Sequence, residues 1–246
     1  MAPRHARNLR RRSFLLLHLL LPLALSRAQS PQDSLIAPPV QLGRALSGPD
    51  LVELTKLDST IHLDIHYARS DNFIGRPMYS QARAFMERPA ARALVRVNRA
   101  LEKKGYGLTV FDAYRPWRVT KKFWDETPPS KRGFVADPRK GSIHNRGCAV
   151  DLTLYDRSTG REVSMPSSYD EFSRRASPRY AGGSTEERAH RELLRRAMEA
   201  EGFTVNRGEW WHFDYKGWSS YPVLDLTFEG LDSIQESVPR TLAPKR

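Results

Sequence analysis

The stretch Ser142 to Asp151, reading SIHNRGCAVD, constrains the fold of this chain more than any other. It sets a His and an Asp seven residues apart, places between them a glycine able to take backbone angles closed to other residues, and runs directly into an alternating apolar segment. Much later, Glu209 to His212 reads EWWH and supplies a second His with a carboxylate three positions before it. A fold that uses both fragments at one site must bring His212 in from the far end of the domain. His144, Asp151 and His212 would then make a three-ligand metal set with one position left for water and Glu209 beside it. Alone, the His–Asp spacing is more often the mark of a polar loop closed by hydrogen bonds. The second fragment favours the metal, because Glu and His around two tryptophans need partners if they are buried.

The chain of 246 residues, 39% hydrophobic and 10% aromatic, has enough apolar surface for a real core. Its formal charge of +12 invites a nucleic-acid reading, but the distribution argues otherwise. Residues 1–28 hold Arg4, Arg7, Arg10, Arg11, Arg12 and Arg27 with no acid, so taking these six from +12 leaves +6. That segment reads as a secretory signal: a basic start, an apolar run from Phe14 to Leu25, and the small-x-small site Ser26-Arg27-Ala28. The run is short for a membrane span, and no lasting membrane anchor is expected after cleavage. A periplasmic or secreted protein is expected from this signal, and Arg11-Arg12-Ser13-Phe14-Leu15 matches the twin-arginine pattern as one route of export. The single cysteine, Cys148, excludes an intrachain disulfide and reads as a small buried filler.

Residues 29–47, rich in Pro, Ser and Gln, read as an extended arm or linker. One α+β domain from 48 to 230 is expected, mixing strands with flanking helices, and then a loosely held tail over 231–246. Ile61, Leu63, Ile65 and Tyr67 alternate with polar residues as in a half-buried strand, which turns His62 and His66 to solvent. Leu94, Val97 and Leu101 predict a helix over Ala90 to Lys104. Its Arg and Lys residues form a solvated face without interleaved aromatics, so no nucleic-acid partner is expected. Leu108 to Asp112 predicts a strand ended before Pro116, and a short helix follows through Lys121 to Trp124. After Gly147, Val150, Leu152 and Leu154 share one strand face and Asp151 lies on the other. Residues 156–183 read as a long loop. Ser184 and Glu187 form a capping box for a helix to Glu201, with Ala189, Leu193, Ala197 and Met198 as its apolar stripe. Phe203–Val205, Trp210–Tyr215 and Val223–Phe228 read as strands. A regular strand would point Glu209 and His212 to opposite sides, so a shared site requires a twist, a bulge, or a strand that begins after Glu209, with Gly208 as the flexible point.

Ser142, His144, Gly147, Ala149 and Asp151 spell S-x-H-x-x-G-x-A-x-D, and Glu209, Trp211 and His212 spell E-x-W-H. With these two motifs the chain resembles the zinc D-Ala-D-Ala peptidases, whose fold is shared with the hedgehog signalling domain. It is most similar to the VanX-type D-alanyl-D-alanine dipeptidases, through Tyr67, Asp71 to Gly75, Asp112 to Pro116 and Asp170-Glu171-Phe172. The resemblance implies a mainly antiparallel sheet with flanking helices, one Zn2+ on His144, Asp151 and His212, and Glu209 as general base. It implies that Arg115 stabilises the oxyanion, Ser142 meets the dipeptide carboxylate, and Asp170 holds the ammonium with Tyr67 nearby. The substrate so implied is the small dipeptide D-Ala-D-Ala. Two other outcomes share the metal motifs: a D,D- or L,D-carboxypeptidase of peptidoglycan stems, and a non-catalytic zinc-binding module. The pairing of Glu209 with Arg115 disfavours the second, since a binding module needs neither base nor oxyanion donor. Cys148 stands where the family usually has Ser or Ala.

Overall fold

The computed structural model describes residues 37–39 and 49–237. The expected signal over 1–28, nearly all of the arm, and the last nine residues lie outside the described residues.

Strands β1 (Leu51–Glu53), β2 (His62–Leu63), β3 (Phe85–Glu87), β4 (Tyr106–Asp112), β5 (Ala149–Asp156), β6 (Phe203–Val205) and β7 (His212–Tyr215) form two sheets. β1 and β3 make an antiparallel ribbon, and the larger sheet has the order β2-β4-β5-β7-β6. Within it only the β2–β4 pair is parallel, so the architecture is α+β and mainly antiparallel. The helices are α1 (Leu54–Leu57), α2 (Arg88–Glu102), α3 (Trp117–Glu126), α4 (Thr185–Ala200) and α5 (Phe228–Ser237). α2 lies on β3 and β4, α4 lies on β5 and β6, and the two helices touch. The Ser184 hydroxyl accepts from the Glu187 amide at 3.0 Å while the Glu187 carboxylate accepts from the Ser184 amide at 2.6 Å, completing the capping box.

Val150, Leu152 and Leu154 join the core together with Leu94, Leu101, Leu194 and Met198. Alternation sends Asp151 and Thr153 to the other face of β5, yet they are only 3% and 2% exposed. This second face is covered, and it is the face that carries the site. β4 and β5 are in register from Tyr106 to Val110 and then slip: Val110 pairs with Leu152 but Asp112 pairs with Asp151. One extra residue, Phe111, is thus inserted as a bulge, which sets Asp112 beside Asp151.

Several expectations change. Only His62 and Leu63 of the Ile61 to Tyr67 stretch pair in the sheet, because a 3-10 turn at His66–Ala68 ends the strand while Ile61, Ile65 and Tyr67 stay buried. On α4 the buried positions are Leu194 and Met198, whereas Ala189 is exposed, so the stripe is rotated from the expected one. Val223 to Phe228 is not a strand: Leu224 gives its amide to Asn145 and its carbonyl to Trp117, so these backbone groups are satisfied outside a ladder. The expected boundary at residue 230 falls inside α5, where Leu231 is buried and Asp232 pairs with Arg83 at 2.7 Å.

β3 ends at Glu87, a buried carboxyl whose Oε2 accepts from the Asp50 amide at 3.1 Å and whose Oε1 has no hydrogen-bond partner. Burial pushes this carboxyl up to about 7, against an ordinary 4.5. Between these values the folded chain keeps a proton that the unfolded chain releases, so the stabilising contribution is full below the lower value and is lost as pH rises through the upper one. Glu87→Gln should therefore raise the melting temperature at pH 8 and leave it nearly unchanged at pH 5. Thermal melts at both pH values check this; an equal difference at the two would contradict it.

Candidate metal centre

A 3-10 turn at His144–Arg146 closes on Gly147, which has φ of 63°. A Cβ added there would lie 2.3 Å from the Leu51 side chain, so both the angle and the space call for glycine. The turn delivers His144 to the start of β5, 2% exposed. Its Nδ1 lies 2.7 Å from the Ala113 carbonyl, which can only accept, so the proton sits on Nδ1 and Nε2 keeps its lone pair.

The question of how Glu209 and His212 share a side is resolved by the third possibility: the strand begins after Glu209. Residues 210–211 form a turn, with the His212 amide donating to the Glu209 carbonyl at 3.4 Å, and β7 starts at His212. Gly208 lies in a bend just before this turn, outside the left-handed region, with its amide donating to Asn206 Oδ1 at 2.8 Å. The turn is anchored through Trp210, whose indole donates to Ser167 Oγ at 2.9 Å, and through the fully buried Trp211. His212 Nε2 lies 2.9 Å from Asp214 Oδ1, an acceptor, which leaves the Nδ1 lone pair facing inward.

His144 Nε2 and His212 Nδ1 stand 3.1 Å apart, and Asp151 Oδ1 lies 3.4 Å from the first and 2.9 Å from the second. These three atoms are the described group that could hold a metal ion. Asp151 Oδ1 is buried and accepts no hydrogen bond despite the short contact. Burial alone would raise the Asp151 carboxyl, but the two imidazoles outweigh it and hold it well below the usual carboxylate range. Burial alone would likewise lower His212, but the neighbouring carboxylates of Asp151 and Asp214 outweigh it and raise the imidazole well above its usual value. The point where the three atoms converge therefore demands a positive charge, either a proton on Nδ1 or a metal ion. Two imidazole nitrogens and one carboxylate oxygen suit zinc, with an open fourth position.

Around this point a cavity of about 460 Å³ is lined by all eight residues singled out from the sequence: Tyr67, Arg115, Ser142, His144, Asp151, Asp170, Glu209 and His212. Glu209 Oε2 lies 3.9 Å from His212 Nδ1, and burial raises its carboxyl. Arg115 is buried, with Nε and Nη2 donating to Asp112 Oδ2 at 2.9 and 2.7 Å, and its guanidinium lies over the rings of Phe123 and Tyr67. It is thus braced by Asp112. Tyr67 donates to Asp170 Oδ2 at 2.8 Å. Burial first, and the Asp151 charge second, push the Asp170 carboxyl up to about 8. Ser142 Oγ accepts from the His144 amide at 3.2 Å and keeps its own proton to donate.

Cys148 is fully buried outside the metal group, and burial pushes its thiol well up, in keeping with an inert filler. Three residues were missed. Asp214 had a legible signal, since it falls two positions after His212 on one strand face. Asp112 needed the bulge, and Tyr169, which donates to Asp151 Oδ2 at 3.1 Å from a distant loop, had none.

The peptidase M15 family model, D-ala-D-ala dipeptidase, matches residues 48–228. A D-alanyl-D-alanine dipeptidase of Escherichia coli K12 is 33% identical over 175 residues, which is 71% of this chain and 89% of the relative. One from Enterococcus faecium is 34% identical over 186 residues, covering 66% of this chain and 91% of the relative. One from Streptomyces coelicolor is 33% identical over 188 residues, covering 68% and 92%. Among solved structures, the LdcB LD-carboxypeptidase superposes with a TM-score of 0.40 at 22% identity over 70% of each chain.

Proposed function

The chain belongs to the D-Ala-D-Ala dipeptidase family of peptidases, and from that premise we propose that it is a zinc-dependent dipeptidase that splits D-alanyl-D-alanine into two D-alanines. The observation that carries the reading is one cavity in which three inward-facing donor atoms share space with a carboxylate, a guanidinium and the second carboxyl of Asp170. His144, Asp151 and His212 would hold the ion. Zinc, when bound, supplies Lewis acidity and lowers the pKa of water.

The remaining chemistry belongs to the chain. Glu209 takes a proton from the attacking water and passes it to the leaving nitrogen, so the water oxygen joins the carbonyl carbon as the C–N bond breaks. A carboxyl raised by burial is a better base for this transfer than a solvated one. Arg115 receives the charge growing on the carbonyl oxygen; its brace to Asp112 and the flanking rings hold the guanidinium ready, so little reorganisation is needed. Asp170, whose raised carboxyl an adjacent ammonium would draw back down and ionise, meets the free ammonium with Tyr67 beside it, and the Ser142 hydroxyl meets the carboxylate. Holding both ends of a zwitterion selects a dipeptide by its length. The basic and apolar start of the sequence supports export, so the substrate would be met in the periplasm or outside the cell.

Free D-alanyl-D-alanine compared with its N-acetylated form tests the reading against a carboxypeptidase. Acetylation removes the ammonium and leaves Asp170 without its partner, so kcat/KM should fall at least ~100-fold. Equal cleavage of the blocked dipeptide, or cleavage of stem pentapeptides alone, would make the protein a carboxypeptidase.

A further inference from the structure

We infer that Tyr169 is a positioning residue that fixes which oxygen of Asp151 faces the metal ion, and that the left-handed backbone of Asp170 is what puts Tyr169 there. The inference rests on the zinc reading above and extends it to the loop that follows β5. The two oxygens of Asp151 have different surroundings. Oδ1 faces the two imidazoles and accepts no hydrogen bond. Oδ2 accepts from the Tyr169 hydroxyl at 3.1 Å and lies 3.9 Å from Arg115 Nη2. A carboxylate free to rotate presents either oxygen or both; a hydrogen bond to Oδ2 removes that freedom and leaves Oδ1 as the single ligand atom. Partners of this kind, one bond behind a ligand, orient it and tune its affinity.

The Tyr169 ring is itself held. It stacks on Phe111, the bulged residue of β4, at 4.6 Å and 27°, and meets Trp211 edge-on at 5.6 Å. The same bulge that sets Asp112 beside Asp151 therefore seats the phenol ring. Tyr169 and Asp170 are neighbours, and in extended chain their side chains would point to opposite sides. Here Tyr169 reaches Asp151 while Asp170 accepts from Tyr67, and both bonds belong to one site. Asp170 has φ of 55°, the sole positive value at a non-glycine residue among those described. Asp tolerates that region better than most residues, glycine accepts it freely, and a β-branched side chain resists it. Asp170 thus has two separable contributions: its carboxylate faces the proposed ammonium position, and its backbone aims Tyr169 at the metal ligand.

Zinc dissociation constants, measured by competition with a chelating indicator on the full mature chain, separate these contributions. Tyr169→Phe keeps the ring and removes the hydroxyl; its zinc affinity should fall ~10-fold while the melting temperature of the metal-free form stays with that of the unaltered chain. Asp170→Gly should bind zinc as the unaltered chain does, although it loses the carboxylate. Asp170→Val should lose affinity by the same factor as Tyr169→Phe, and combining the two should weaken zinc no further. Zinc binding by Tyr169→Phe as tight as that of the unaltered chain would overturn the inference. Equal affinities for the Gly and Val variants would overturn the backbone part. Should Asp170→Val fail to fold, Tyr169→Phe still decides the hydroxyl and Asp170→Gly the backbone, where a loss of affinity contradicts it. An unaltered chain without zinc affinity would be a different failure, one that removes the metal reading itself.

Discussion

Replacing Glu209 by Gln should lower kcat on D-alanyl-D-alanine ~1000-fold or more while the protein keeps its full complement of zinc, since a positioned general base contributes ~10²–10⁴ to rate. The geometry separates the base from the ligands. Glu209 Oε2 lies 3.9 Å from His212 Nδ1, and the atoms that converge on one point come from His144, Asp151 and His212. The Glu209 carboxylate approaches the site from the turn at 210–211, which is closed by the His212 amide and pinned by Trp210 to Ser167. Gln preserves the shape of the side chain and its hydrogen-bonding reach but cannot accept and release the proton. Steady-state kinetics with metal analysis on the same sample check this. Loss of zinc on substitution would make Glu209 a ligand, and an unchanged kcat would remove it from the chemistry.

Four candidate site residues, His144, Asp151, Glu209 and His212, were legible from residue type and spacing, whereas Arg115, Ser142, Asp170 and Tyr67 came only through the family resemblance. His144, Asp151, Glu209, His212, Arg115, Ser142, Asp170 and Tyr67 all line the one cavity. The regular elements were legible for a different reason: α2, α4, β4 and β5 follow the helical and strand periods over most of their length. The geometry that joins the two was not legible. Three departures from regularity carry it: the bulge at Phe111, the turn between Glu209 and His212, and the left-handed Asp170. The break before His212 was required by the strand period itself, though not its form, whereas the bulge and the left-handed Asp170 leave no mark on the local period. The strand expected at Val223 to Phe228 failed because its backbone partners are Asn145 and Trp117 rather than a neighbouring strand. That the period breaks at the site while it holds through the core fits a scaffold shaped around its ligands.

Tyr169 and Asp214 show where motif reading stops. The motif names His144, Asp151 and His212 but not the groups behind them, which are the Ala113 carbonyl, the Tyr169 hydroxyl and the Asp214 carboxylate. These set the tautomers of both imidazoles and the choice of carboxylate oxygen. They convert three donor residues into three donor atoms aimed at one point.

Metal removal should have the largest effect of all. Without a cation, Asp151 Oδ1 and the two facing ring nitrogens have no shared partner but a proton, and the water that Glu209 would deprotonate keeps its ordinary high pKa. The decisive measurement is D-alanine released from free D-alanyl-D-alanine by the purified mature chain, before and after a chelator, and again after one equivalent of Zn2+. Turnover is expected in the first sample, none in the second, and recovery in the third. Undiminished turnover by the metal-free protein, or no D-alanine from the free dipeptide with zinc bound, would contradict it.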